Sequence, residues 1–458
     1  MILLLALVVA AVGAGALPWP SARRPVLIIS LAAAATVAFL VPRDGSIVGS
    51  DALARLVIVV AGVLGLSVGA FSVTQFAGER RGRRLVPLSI AVVVLAVASA
   101  MARSWLVLTV AWVATSAATW WLLRVATPSD PTAHRRAGWA LLIGDGPLVL
   151  ATGVVVALHG PLALGGRDAL TGPPALLLGG AATLAAVARA GLLGRPSWVS
   201  ETVAAPTSVS ATLHAGVVNG GAVLLVRVAS LAPLATVWRL ALAAVTVTTL
   251  LRLAPAISRR ADLKGQLALS TVAQMSFMLL AIALGWPVLA LAHLAGHSLY
   301  KAHRFISSGG AIEDRAAARR RASRGTAPTP ARRLAGLVVL TLVGLALLHG
   351  ANAETATLTG VLTVATGAVW WSHTRHPLGH AVPLILALLA VVAGYPLLVA
   401  ELSRVLAGAL GRPAGHAPWW LLPGLLVVLA RRSGHRARLA VVAPASGATS
   451  PLTEYAAS

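Results

Sequence analysis

PVLALAHLAGHSLYKAHRFISSGG, residues 287–310, is an apolar stretch of membrane-spanning length that carries His293, His297, Lys301 and His303. A helix of about 20 residues crosses the core of a bilayer, and an ionisable group inside such a stretch is costly to bury. His293, His297 and Lys301 recur every four residues, so a helix stacks them along one face. Of the 37 basic residues in the chain only Lys264 and Lys301 are lysine; the remainder are arginine. Arginine keeps its proton under all ordinary conditions, whereas a desolvated lysine can titrate near neutral pH. Two readings of Lys301 stand at this point. One is a group that takes up and releases a proton; the other is a structural lysine, paired or snorkelling to an interface.

Outward from this stretch the apolar character continues to both ends. Hydrophobic residues make up 58% of the 458 and charged residues 11%, a balance that excludes a soluble globular chain. Apolar runs fall near 1–19, 25–41, 52–74, 85–102, 104–126, 137–158, 173–193, 206–228, 236–256, 265–285, 287–310, 334–350, 354–372, 380–401 and 417–430. The expected fold is all-α, a polytopic membrane protein of about 13–15 transmembrane helices. The first run lacks a basic leader and reads as a retained helix rather than a cleaved signal. The absence of cysteine excludes disulfides, thiolate zinc sites and iron–sulfur ligation.

The formal net charge of +24 is distributed by topology. With the N-terminus outside, Arg23, Arg24, Arg80 to Arg84, Arg135, Arg136, Arg195, Arg259, Arg260 and Lys264 fall in cytoplasmic loops. The run from Arg315 to Arg333 and the tail from Arg431 to Arg438 fall there too. The opposite loops carry Asp44, Asp51, Asp168 and Glu354. This alternation satisfies the positive-inside rule and places a multi-pass chain in the cell inner membrane, C-terminus cytoplasmic. It makes a nucleic-acid role an unneeded explanation of the charge.

Polar residues at membrane depth mark a smaller set of positions. Asp145 lies within LLIGDGPLV, residues 141–149, and reads either as a carboxylate that modulates a nearby basic group or as a packing residue. Arg189 ends the seventh run. Glu201 sits just before the eighth and Pro206 can start it, while His214, Gly216, Asn219, Gly220 and Gly221 interrupt it, as in the broken helices that line ion routes. Asp262 and Lys264 open the tenth, where Ser270, Thr271, Gln274 and Ser276 add a polar stripe. Tyr395 and Pro396 are expected to break the fourteenth. Residues 312–333 form a hydrophilic Arg/Ala/Pro loop suited to acidic lipid headgroups or a cytoplasmic partner. No phosphate loop or dinucleotide fingerprint occurs. The spacing of His293 and His297 alone is too weak for a metal site, so no metal and no cofactor are expected in this chain.

WVSETVAAPTSVSATLHAGVVN (198–219), DLKGQLALSTVAQMSFM (262–278) and HLAGHSLYKAHRFISSG (293–309) together resemble the proton-translocating antiporter-like family. That family includes membrane-arm subunits of respiratory complex I and Mrp cation/proton antiporters. The resemblance is specific over about residues 185–310 and is nearest to the DabB branch, the membrane subunits of inorganic carbon accumulation complexes. It implies a proton pathway of Lys301, His297, His293, Lys264, Asp262, His214, Glu201, Arg189 and Asp145. It also implies a DabA-like partner that hydrates CO2 at its own zinc site, with protons, or sodium, moving through this chain. No catalytic site of its own is then expected here; a complex I subunit would count as part of a translocase. The chain departs from the family in four places. Arg189 stands where the switching lysine is expected, AWVATS (111–116) lacks the acid that pairs with it, no terminal-helix lysine is evident, and Arg304 brings an extra charge beside Lys301. The implied organisation is scaffold helices in 1–136, an antiporter-like core in 137–310, a basic loop in 311–333, further helices in 334–430 and a cytoplasmic tail in 431–458. The alternatives are a proton-pumping subunit of a respiratory or hydrogenase complex and a stand-alone antiporter.

Overall fold

The computed structural model describes residues 48–49, 51–164, 170–194, 197–260, 262–310, 330–348 and 378–406, with isolated positions between 356 and 370. The expected runs 1–19, 25–41 and 417–430, the loop over 311–329 and the tail from 431 lie outside the described residues, as does most of 354–372.

The described residues form helices and carry no strand beyond two isolated bridges between loops. In order these are α1 (Ala52–Gln75), α2 (Gly82–Met101), α3 (Trp105–Ala126), α4 (Pro131–His159) and α5 (Gly172–Arg189). A single turn, α6 (Trp198–Glu201), leads to α7 (Thr207–Ala215) and α8 (Gly220–Leu231). Then come α9 (Thr236–Arg259), α10 (Leu263–Ala283), α11 (Pro287–Ile306), α12 (Pro330–Leu348) and α13 (Leu378–Leu406). Eight stretches among the described residues are long and apolar enough to cross a membrane. One is Thr207–Leu231, which combines α7 and α8.

Local sequence explains where the helices begin. Asp51 caps α1 by accepting the Ala54 N–H at 2.8 Å, Ser104 caps α3, and Asp262 caps α10 through Gly265 N–H at 2.6 Å. Within the helices, hydroxyls return to the carbonyl four residues back, as in Thr115, Thr119, Thr152, Thr183, Thr271 and Ser276. This satisfies them without water, which an apolar phase demands. In the polar stripe of α10, Ser270, Thr271 and Ser276 all return to carbonyls of their own helix, and Ser270, with Gln274, lines a cavity as well. Tyr395 and Pro396 do not break the fourteenth run. α13 continues through both, as membrane helices do where neighbouring groups satisfy the backbone that a proline frees.

The α7–α8 helix is the centre of the bundle. Of its apolar span 89% is buried inside the protein, against 17% for Thr236–Ile257 in α9. Gly216 ends α7, a 3-10 turn occupies Val217–Asn219, and the helix resumes at Gly220. Asn219 Nδ2 donates to the Ala215 carbonyl at 2.6 Å, which satisfies a backbone acceptor released by the break. α11 and α1 pack on α7, and α5 on α8. Close approach is specific to glycine here. A Cβ on Gly221 would meet the Ala186 carbonyl of α5 at 2.9 Å, and one on Gly144 would meet Ala185 and Ala188 of α5 at 3.0 and 2.7 Å.

Both halves of the broken helix are tied to α1. At one end Gln75 Oε1 accepts the Ser208 N–H at 3.0 Å. At the other, Arg227 grips the Asp51 carboxylate with both terminal nitrogens, one at 2.9 Å, and also donates to the Ala100 carbonyl. Burial pushes the Asp51 carboxyl up, but the hydrogen bond and charge of Arg227 outweigh it and leave it below the ordinary 3.8. A carboxyl depressed in the folded state adds stability above its unfolded pKa and loses it as pH falls through the folded value. Asp51→Asn is expected to lower stability at pH 7 by about 2 kcal/mol, less than the 3–5 of a fully buried pair because Asp51 is partly open to solvent. Thermal unfolding in detergent across a pH series should show the gap to wild type closing below about pH 4. A gap independent of pH would mean that the pair is not its source.

Candidate functional site

Two polar clusters sit in the interior, one on each side of the broken helix. The first is built by α3, α4 and α5. Arg189 closes α5 and is 2% exposed. Its Nη2 donates to the Trp112 carbonyl at 2.8 Å and to the Ser116 hydroxyl, and its Cζ lies 3.3 Å from the centre of the Trp112 ring. The Trp112 indole N–H donates to Asp145 Oδ1 at 2.8 Å, and that same oxygen is 4.0 Å from Arg189 Nη2. AWVATS, which lacks an acid, thus contributes Trp112 and Ser116, and the carboxylate comes from the neighbouring α4. The close helix contacts at Gly144 and Gly221 bring these side chains within reach.

The second cluster is built on α11. Lys301 is 1% exposed, and its Nζ donates to the Leu267 carbonyl at 2.8 Å and to the Ser270 hydroxyl at 2.6 Å, both on α10. Both acceptors are neutral, and among the described residues no carboxylate lies within ion-pair distance of it. One turn away His297 is buried, with its ring 6.0 Å from that of His293 and inclined by 22°. Among the described residues neither nitrogen of His297 and not Nε2 of His293 finds a hydrogen-bond partner. A cavity of about 330 Å³ is lined by Ser270, Gln274, His293, His297, Tyr300 and Lys301, and by Tyr395 of α13. It has room for several waters, which would satisfy these groups.

His214 of α7 lies beneath Lys301. Fully buried, it stacks on Phe305 with ring centres 4.6 Å apart, and its Nε2 shares a hydrogen bond of 2.9 Å with the Thr202 hydroxyl. Thr202 belongs to the turn between α6 and α7, and Lys264 reaches the Ala205 carbonyl of the same turn at 3.4 Å. Lys301, His297, His293, His214 and Lys264 are therefore brought together. The acids are not. Glu201 pairs with Arg136 at 3.1 Å, and Asp262 caps α10 while pairing with Arg260 at 2.8 Å, where both side chains are half exposed.

A small cavity of about 70 Å³ separates the clusters. Arg189, Trp112 and Thr115 border it on one side, and Asn219 and Ser298 on the other. Asn219 Nδ2 donates to Ser298 Oγ at 2.7 Å, and Ser298 follows His297 on α11. Asn219 Oδ1 and Arg189 Nε are buried without a partner among the described residues. Trp112, Ser116 and Ser298 escape a reading of the sequence, since ordinary side chains on separate helices gain meaning only from packing. Among the described residues no group of three His, Asp or Glu could hold a metal ion.

A family model described as the NADH:quinone oxidoreductase/Mrp antiporter transmembrane region matches residues 102–374. The chain is 42% identical over 126 residues to a probable inorganic carbon transporter subunit DabB2 of Halothiobacillus neapolitanus, covering 28% of this chain and 23% of that protein. It is 30% identical over 280 residues to the DabB1 subunit of the same organism, covering 58% and 49%. The matched part therefore spans half or less of these relatives. The fold is similar to that of the Mrp complex from a Dietzia species, with a TM-score of 0.56, 24% identity, and coverage of 93% of this chain and 49% of that one.

The geometry makes Asp145 the counter-charge of Arg189. Asp145→Ala is expected to cost about 3 kcal/mol, because it strands a buried guanidinium, and adding Arg189→Met should restore most of that loss. Thermal unfolding of both variants in detergent measures the coupling. Additive losses would show that the two groups do not interact.

Proposed function

Since this multi-pass membrane chain belongs to the NADH:quinone oxidoreductase/Mrp antiporter transmembrane family, we propose that it is the proton-conducting membrane subunit of an inorganic carbon accumulation complex. The observation that carries this reading is the environment of Lys301: a buried amine held only by neutral acceptors, at the wall of a cavity shared with two histidines. A carboxylate would fix the amine in its charged form; a carbonyl and a hydroxyl accept from it in either form. Similarity to the two DabB proteins supports the assignment to inorganic carbon.

Protons enter from outside, pass from His293 and His297 to Lys301, and leave past His214 and Lys264 toward the cytoplasmic loops. Glu201 and Asp262 set the charge of that exit. Arg189 and Asp145 hold a fixed dipole on one side of the small cavity. Amine and imidazole lining favours protons over sodium, which needs a shell of oxygen ligands. The N-terminus lies outside and the C-terminus in the cytoplasm. The CO2 hydration driven by this flow takes place at the zinc of a DabA-like partner.

A second reading, a proton-pumping subunit of a redox-driven complex, is disfavoured by Arg189, which cannot serve as a switching base. Gentle purification of the tagged chain from its native membrane separates the two readings. One large zinc protein should co-purify; quinone- or hydrogen-linked redox subunits would overturn the proposal, and a chain that conducts without any partner would point to an antiporter. Within the complex, Lys301→Ala and Lys301→Arg should both insert normally and lose proton flux by about 100-fold or more. Growth at ambient CO2 equal to wild type in either variant would remove Lys301 from the path.

A further inference from the structure

We propose that Tyr395 of α13 is a proton-relay residue of the Lys301 cavity, a role that rests on the proton-conducting reading above. Three observations converge on it. Tyr395 lines the 330 Å³ cavity together with His293, His297 and Lys301, so α13 contributes a hydroxyl to a wall otherwise built by α10 and α11. Its Oη is buried and has no hydrogen-bond partner among the described residues. A buried hydroxyl left unpaired costs about 1–3 kcal/mol, so this phenol is completed by water in the cavity. Pro396 follows directly and lacks an N–H, so the carbonyl of the buried Val392 loses its usual donor and offers a second acceptor on the same turn.

Among the described residues Tyr395 is the only ionisable or hydroxyl-bearing group that α13 brings to this cavity. A phenol both donates and accepts, so it can pass a proton to one neighbour while taking one from another. His293, facing it from α11, is flanked on its other side by Phe277, whose ring centre is 4.9 Å away and offers no acceptor. The continuation from His293 toward α13 therefore runs through Tyr395 and water. Gln274 and Ser270 of α10 line the same space as fixed hydrogen-bonding groups.

Phenylalanine and alanine separate a relay from a packing role. Phenylalanine keeps the ring and removes the hydroxyl, leaving an apolar ring edge where the phenol had bonded to water. Alanine removes the ring and opens space for water that can carry the proton. In proteoliposomes holding the complex purified through this chain, dye-reported proton uptake should fall about tenfold in Tyr395→Phe and recover at least in part in Tyr395→Ala. Subunit recovery and thermal unfolding of Tyr395→Phe should match wild type. Flux in Tyr395→Phe equal to wild type, or flux in Tyr395→Ala below that of Tyr395→Phe, overturns the relay. Wild type and Lys301→Ala are measured in parallel: a wild-type complex that takes up no protons fails the proton-conducting reading itself, and Lys301→Ala flux equal to wild type removes Lys301 from the path, whatever Tyr395 does.

Discussion

The free energy of holding a positive charge away from water governs the interior of this bundle, and Arg227, Arg189 and Lys301 meet it in three ways. Arg227 has a carboxylate gripped from both sides and a carbonyl besides. Arg189 is held by a carbonyl, a hydroxyl and the face of an indole, with its carboxylate one step more distant at 4.0 Å. Lys301 has no carboxylate among the described residues. Removing a partner from a buried ion is far more costly than the pair is worth, so the number of carboxylates measures how firmly each charge is fixed. Compensation falls from Arg227 through Arg189 to Lys301. Structural constraint and chemical freedom are graded along the same series.

The broken helix gives this series its geometry. A continuous helix offers no spare backbone groups, so water has nothing to bind along its axis. The turn at Val217–Asn219 supplies a side-chain amide and released carbonyls at the level where Ser298 and the small cavity meet. Asn219 touches both sides, closing the backbone of α7 with one hydrogen and reaching α11 with the other. That placement joins two clusters built on separate helices into one polar axis.

Much of this was legible in the sequence, for identifiable reasons. Lys301 and its two histidines stood out because four-residue spacing survives folding unchanged and because lysine is so scarce in this chain. The break at 216–219 was legible from glycine and asparagine inside an apolar run. What failed to show was whatever depends on distance between helices. Trp112 and Ser116 lie 77 and 73 residues from Arg189, and nothing in AWVATS marks them as its partners. Arg227 resembled any arginine at a helix end. Tyr395 and Pro396 were read through backbone propensity as a break, when α13 runs on and presents the phenol to a cavity. Propensity describes the chain alone; neighbours decide which way a side chain turns.

α1 deserves to be seen in mechanical terms. Its 24 residues make a rod of about 36 Å, and its two ends are bonded to the two halves of the interrupted helix, through Asp51 to Arg227 and through Gln75 to Ser208. Such a rod works as a ruler. It fixes the separation of α7 and α8 and so sets the length of the gap between them. Hydration of that gap can then change while its width does not. Inside a frame of constant span, what is left to vary is the arrangement of side chains and water.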